Sequence, residues 1–223
     1  MLTLVIDTAT PSVTAGVFEV AETVASKGDH AVVDARGHGE RLAPMIDASL
    51  KDAAAVPGDL AAIVVGLGPG PFTGLRVGLV TAASMADALG IPAYGVCSLD
   101  ALGLAAARSV EEPGRILVAT DARRKEVYWG LYDEEGRRLH GPEVEKPDRL
   151  QSHIAEAAHL AGDGTLLYPQ HFPEALETPR FPPAWAFAEL AADRVRVKAP
   201  TEPLTPLYLR RPDVHVNGKQ QRL

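Results

Sequence analysis

Between Ala61 and Leu89 an apolar strand runs into a glycine- and proline-rich turn, and the turn opens a long alanine-rich helix. The turn reads Gly66-Leu67-Gly68-Pro69-Gly70-Pro71-Phe72-Thr73-Gly74, and the helix is expected to last until Gly90-Ile91-Pro92. A strand feeding a glycine turn and a helix is the outline of a phosphate cradle, because helix N-termini present unpaired N–H groups. The letters fit neither of the common versions. No Gly-Lys-Ser/Thr follows, and the alternating Gly66, Gly68 and Gly70 do not complete Gly-x-Gly-x-x-Gly in its dinucleotide-binding context. Within the helix Gly74, Gly78, Ala82 and Ala86 recur every fourth residue. Such a line of small side chains admits another backbone closely. It fits either close packing onto the chain's own sheet or docking of a partner. Leu75, Leu79, Val80, Met85 and Leu89 leave more apolar surface than one stripe needs, which predicts burial on more than one side.

Around this element the chain reads as alternating strands and helices. Leu2–Ile6, Val13–Val20 and Thr23–Val33 are expected strands, the first two joined by the polar turn Asp7-Thr8-Ala9-Thr10-Pro11-Ser12. Asp7 is either a turn-capping carboxylate or the lip of a nucleotide or partner cleft. Leu42, Met45, Ile46, Ser49, Leu50 and Ala53 repeat at helical spacing over Arg41–Ala54, with Pro44 expected to delay or bend the regular helix. His38 precedes that helix and reads as a packing or capping residue, since no second histidine stands at ligand spacing. Pro71 suits the first turn of the glycine-turn helix, with Thr73 its candidate cap. Ile91–Val96 is a further strand, Cys97 reads as a buried thiol, and Ser98 with Asp100 is expected to start a helix to Ala107. Glu111-Glu112-Pro113-Gly114 marks the first convincing boundary.

The second half restarts with strands at Arg115–Ala119, Val127–Tyr132 and Leu139–Val144. In the middle one Tyr128 and Tyr132 share one face and Val127, Trp129 and Leu131 the other. The basic tip Arg123-Arg124-Lys125 is either a solvated hairpin turn or a phosphate contact. Helices are expected over Asp148–Ala158 and Pro183–Asp193, with a strand-end turn at Ala161–Gly164. Leu204, Leu207, Tyr208 and Leu209 are expected to anchor a proline-bearing tail. The two halves allow a duplicated fold. The domain division is 1–110, 111–212 and a disordered tail at 213–223.

With 223 residues, 46% of them hydrophobic, the chain is long enough for a sizeable core. Its formal net charge of −7 argues against nucleic-acid binding by the chain as a whole, so any RNA must be held by a local patch or a partner. A single cysteine excludes an intrachain disulfide framework. The N-terminus is too soon acidic for a signal peptide, and no apolar run is long enough for a bilayer span. A cytoplasmic protein is expected.

Three motifs in order carry a family resemblance: Ile6-Asp7-Thr8-Ala9-Thr10, then His38-Gly39-Glu40-Arg41-Leu42-Ala43-Pro44-Met45-Ile46, then Gly68-Pro69-Gly70-Pro71-Phe72-Thr73-Gly74-Leu75-Arg76-Val77-Gly78. Ser98–Leu102, Asp121–Arg124 and Pro206–Arg210 extend it over almost the whole chain. The sequence resembles the TsaB (YeaZ) family, the dimerisation subunit of the bacterial tRNA threonylcarbamoyladenosine machinery. Pro71 departs from it, standing where the family commonly has serine.

The resemblance implies an actin-like, sugar-kinase-like (ASKHA) α/β fold of two similar subdomains, each a mixed sheet with helices. It implies an accessory role without catalytic residues, metal or cofactor of its own. The partners are TsaD, the catalytic paralogue, and the ATPase TsaE, with tRNA reached through the complex and ATP or ADP at the shared interface. The family's contact surface corresponds to the helices at His38–Ala54 and Pro71–Leu89. Interface residues are then His38, Leu42, Met45, Ile46, Leu50, Leu75, Gly78, Leu79, Ala82, Met85 and Ala86. Gly78→Arg or Ala82→Arg is expected to abolish the heterodimer and leave the monomer folded, and a homodimer is expected when the chain is alone. Candidate nucleotide contacts are Asp7, Thr8, Gly68 and Gly70. TsaD-type proteins hold a metal with an H-x-x-x-H pair; this chain has no such pair, which also argues against a metallopeptidase. The competing reading is a stand-alone actin-like ATPase or small-molecule kinase. Asp7 and the glycine turn favour it, and the lack of further placeable metal-binding carboxylates argues against it.

Overall fold

The computed structural model describes residues 1–34 and 37–210. The expected tail at 213–223, and Arg36 ahead of the first helix, lie outside the described residues. Strands β1 (Leu2–Asp7), β2 (Ser12–Val20), β3 (Val24–Val33), β4 (Leu60–Gly66) and β5 (Ala93–Val96) form one sheet in the order β3-β2-β1-β4-β5. The first three strands are an antiparallel meander; β4 lies parallel to β1, and β5 parallel to β4. The second sheet contains β6 (Ile116–Asp121), β7 (Val127–Tyr132), β8 (Arg138–Glu145) and β9 (His159–Ala161), in the order β8-β7-β6-β9. Its meander is again antiparallel, and β9 is again parallel to the first strand of its set. The second sheet therefore repeats the first, one strand shorter. This is the actin-like α/β arrangement of two mixed sheets with helices.

Central strands are apolar on both faces because both faces are covered. On one face of the first sheet lie α1 (His38–Asp52) and α2 (Phe72–Leu89), which bury Leu42, Ile46, Leu50, Leu75, Leu79, Ala82 and Ala86 against Leu4, Ile6, Val13, Val17, Ile63 and Val65. The opposite face, with Val5, Phe18, Val64 and Tyr94, is covered by α6 (Ala184–Arg196). The outer strand β3 is mostly exposed, and its Lys27 pairs with Glu19 of β2 at 2.7 Å. In β7 the two faces separate as the alternation predicts. Tyr128 and Tyr132 pack towards α3 (Ser98–Ala107), while Val127, Trp129 and Leu131 pack on the opposite side with Leu150 and Phe172.

The sheets divide at the Glu111–Gly114 boundary, but the helices do not. Helix α3 lies between the two sheets, giving Ala101 and Ala105 to the first core and Leu99, Leu102 and Ala106 to the second. Helix α6, from the second half of the chain, lies on the first sheet. Residues 199–210 also return. The Glu202 amide donates to Ala93 O (3.1 Å), the Leu207 amide to Leu67 O (2.8 Å), and Arg210 Nη1 to Ala122 O (2.9 Å). Leu204 packs on the first core, and Leu207 and Leu209 on the second.

Local boundaries differ in places. Helix α1 starts at His38 and runs through Pro44, whose missing N–H falls on an exposed face open to water. The helix expected over Asp148–Ala158 is a 3₁₀ turn at Pro147–Arg149 followed by the short α4 (Gln151–Glu156). The turn after β9 leads into a one-turn helix α5 (Asp163–Leu167), entered by Gly162 at φ 103°.

Candidate functional site

Because β1, β4 and β5 are parallel, their C-terminal ends come out side by side and bring three distant segments to one edge, where ligands commonly bind in open α/β sheets. These segments are the Asp7–Thr10 turn, the Gly66–Gly70 turn and the start of α3. Ser98 Oγ donates to Asp7 Oδ1 at 2.8 Å, and the Ser98 amide donates to Gly68 O at 2.8 Å. Ser98 is therefore no helix cap; its hydroxyl is taken by a carboxylate 91 positions away. A Cβ at Gly66 would overlap the Asp7 carboxyl, and one at Gly70 would overlap the Ala9 carbonyl. Asp7 is fully buried, its Oδ2 has no hydrogen-bond partner among the described residues, and burial pushes its pKa up to about 7. The hydrogen bonds from Ser98 and from the Ala9 and Thr8 amides act the other way but do not cancel the desolvation.

The four candidate nucleotide contacts are brought together, but against one another. Asp7, Thr8, Gly68 and Gly70 are all buried, and the glycine turn is filled by residues 7–9 of the same chain. They do not line an open cradle. The reason is steric: the glycines admit the neighbouring turn at backbone distance, leaving no room for a phosphate.

The small-residue line on α2 has a similar explanation. Thr8 Oγ1 donates to Gly74 O (2.8 Å) and accepts from the Gly78 amide (3.0 Å), so one hydroxyl engages both ends of a helical turn. A Cβ on Gly78 would stand 2.5 Å from that hydroxyl, and one on Gly74 would stand 2.9 Å from the Thr8 carbonyl. Ala82 and Ala86 continue the line into the first core. His38 belongs to the same cluster. Its Nε2 lies 2.9 Å from Thr10 O; since a carbonyl only accepts, that nitrogen carries the proton.

Most residues of the expected interface list sit inside this chain's own packing. Leu42, Ile46, Leu50, Leu75, Gly78, Leu79, Ala82 and Ala86 are buried in the chain's own core, and His38 is buried against Thr10. Only Met45 and Met85 of that list are partly exposed. The face α2 turns outward instead carries Thr73, Arg76, Val80, Ala83, Ser84 and Asp87, with Val80 63% exposed. Over its whole length the helix has just two charged residues, Arg76 and Asp87. Thr73 is not the cap; Pro71 holds that position, and no side chain caps α2. At the first turn Phe72 and Tyr208 stack with centroids 5.0 Å apart, the Arg76 guanidinium lies 3.5 Å from the Phe72 ring centroid, and Arg76 Nε donates to the Tyr208 hydroxyl (3.0 Å). The sequence reading missed this cluster because its two halves are 132 residues apart.

Beside the buried cluster an open cleft of about 310 Å³ is lined by Thr10, His38, Pro71, Thr73 and Gly74, with Arg123 reaching in from the β6–β7 tip. Among the described residues no group of three or more histidine, cysteine or acidic side chains could hold a metal ion, and no helix is long and apolar enough to cross a membrane. Cys97 is a buried thiol, as expected, with its pKa pushed up to about 12 by burial.

A family model described as TsaD, tRNA N6-adenosine threonylcarbamoyltransferase, matches residues 24–194. An uncharacterized protein of Mycobacterium tuberculosis is 46% identical over 211 residues, covering 94% of this chain and 92% of its own length. The tRNA threonylcarbamoyladenosine biosynthesis protein TsaB of Escherichia coli is 34% identical over 160 residues, covering 70% of this chain and 67% of its own. The solved structure of YeaZ from Pseudomonas aeruginosa matches with a TM-score of 0.78 at 30% identity, over 93% of this chain and 99% of that one.

Proposed function

Since the chain belongs to the TsaB (YeaZ) family and so has a role in tRNA threonylcarbamoyladenosine biosynthesis, we propose that it acts there as a non-catalytic partner subunit. In this role it binds and supports TsaD, which modifies N6 of the adenosine next to the anticodon in ANN-decoding tRNAs. The match to a TsaD family model is what a paralogous subunit would give.

The observation that carries the reading is the outward face of α2, which presents exposed Val80 beside Ala83 and Ser84, with one charged residue of each sign, Arg76 and Asp87, towards its two ends. Charge-poor, partly apolar helix faces are suited to the core of a protein interface. The burial of Asp7 supports the non-catalytic part. The carboxylate best placed for phosphoryl-transfer chemistry is fully buried and engaged by Ser98. That observation weighs against a stand-alone ATPase or kinase.

TsaE joins the pair, tRNA is reached through the assembly, and ATP or ADP binds at the shared interface. Alone, the same face forms a homodimer that competes with the heterodimer. The complex works in the cytoplasm.

Co-purification of the chain with TsaD, followed by mass measurement with and without ATP, tests the reading. A one-to-one complex whose tRNA modification stops when the chain is omitted is expected. Modification by TsaD at the same rate without the chain would refute it.

A further inference from the structure

The hairpin between β6 and β7 is turned by Arg123, Arg124 and Lys125, with φ of 62°, 56° and 61°. Three successive non-glycine residues in the left-handed region are unusual, since glycine or asparagine holds that conformation with less strain. Strain of this kind at an exposed tip points to a use for the side chains. The tip separates two clefts. On one side Arg123 enters the cleft beside the starts of α1 and α2, in which no carboxylate side chain takes part among the described residues. On the other, Arg124 and Lys125 join Lys146, Tyr168 and His171 around a second cleft of about 430 Å³.

Against Arg123, Arg124, Lys125, Lys146 and Arg210 stand Asp121, Glu126, Asp148 and Asp163 beside Asp121, with Glu145 next to Lys146 held by Arg149 at 3.4 Å. Asp121 is held by Arg123 at 3.2 Å, and Glu126 pairs with Arg210. The ammonium groups of Lys125 and Lys146 form no ion pair among the described residues. In a chain of net charge −7 this is a local concentration of positive charge, with one aromatic ring beside it.

We propose that the β6–β7 tip is an RNA-backbone contact, with phosphates on both sides of the hairpin and Tyr168 available to stack on a base. A single phosphate would fill one cleft; a chain of phosphates uses both. Arginine and lysine contacts of this kind position a nucleic acid without reading its sequence, and aromatic rings beside a basic groove favour unpaired bases. The identity of the RNA, a tRNA, rests on the function proposed above.

The test uses the full chain in complex with TsaD and an end-labelled, unmodified ANN-decoding tRNA transcript, with anisotropy read from 50 to 200 mM salt. The variant is Arg123→Gly/Arg124→Gly/Lys125→Gly, which relieves the backbone and so melts no lower than the parent. It is expected to bind TsaD normally, to bind tRNA about tenfold more weakly near 0.1 M salt, and to lower the slope of log K against log salt by about 2. An unchanged affinity and slope in an intact complex overturns the proposal and leaves the proposed function standing. Loss of TsaD binding makes the tip a protein contact, and loss of ATP binding with tRNA affinity intact makes it a mononucleotide site; either overturns it. If no complex forms with TsaD, the proposed function fails, and the same salt series on the chain alone still decides the tip.

Discussion

The hydroxyl of Thr8 accepts a hydrogen bond from the amide of Gly78 at 3.0 Å, on a helix turn where any larger residue would displace it. This contact ties the turn after the first strand to the middle of α2. It explains the spacing of Gly74 and Gly78 without a second subunit.

Gly78→Ala is therefore expected to destabilise the protein by roughly 1–3 kcal/mol through overpacking against Thr8, despite alanine's better helix propensity. In a chain of this size each kcal/mol lowers the melting temperature by about 2–4 °C. Thr8→Ala removes the obstacle, so the double variant should lose less than the sum of the singles. Calorimetric melting of the four proteins checks this. Additive losses would mean that Thr8 is not what Gly78 accommodates.

Asp7 makes stability fall as pH rises. Its pKa is about 3.8 in the unfolded chain and about 7 in the native state, so between these values the native state binds the extra proton. Its favourable contribution is complete below the lower value and is lost as pH passes the upper one. Asp163, raised to about 6 by burial and by neighbouring Asp121, acts in the same direction over the lower part of that window. Asp7→Asn should therefore flatten denaturant midpoints between about pH 6 and 7, and cut the slope from about pH 4 to 6 to the part that Asp163 supplies. An unaltered profile between pH 6 and 7.5 would contradict the burial of a lone carboxyl.

Cys97 is buried, and its thiol is pushed up to about 12 by desolvation and the nearby Asp100 charge. The thiolate is the reactive form, so the native protein should resist alkylation at pH 8. Labelling by iodoacetamide is expected only as fast as the protein opens. Rapid stoichiometric labelling of the folded chain would show the thiol to be accessible.

Much of the architecture was legible in the sequence because it rests on local patterning. The two-residue period of Val127–Tyr132 sorted Trp129 and Tyr132 to opposite faces, and the apolar run before Gly66 marked a strand covered on both sides. The family motifs supplied the pairing of subdomains. Helices α3 and α6 were assigned to the right segments but to incomplete surroundings, since helical periodicity says which face is apolar and not which sheet covers it. The contacts within the candidate site were not legible for the same reason. Ser98 reads as a cap from its neighbours alone, and only the parallel arrangement of β1, β4 and β5 brings it to Asp7. Likewise the small-residue line fitted close packing onto the chain's own sheet or a partner, and the turn at Thr8 that meets Gly74 and Gly78 could not be read from it.

The proposed docking lies on the outward face of α2 and not on its glycine–alanine line. Ala82→Arg, fully buried, should simply unfold the chain, so it cannot report on binding. Val80→Arg can, because that side chain is 63% exposed. Titration calorimetry of TsaD into the Val80→Arg variant, with circular dichroism melting as the control, is the most direct measurement. The prediction is a parental melting curve with affinity for TsaD reduced tenfold or more; a parental melting curve with undiminished affinity would contradict it.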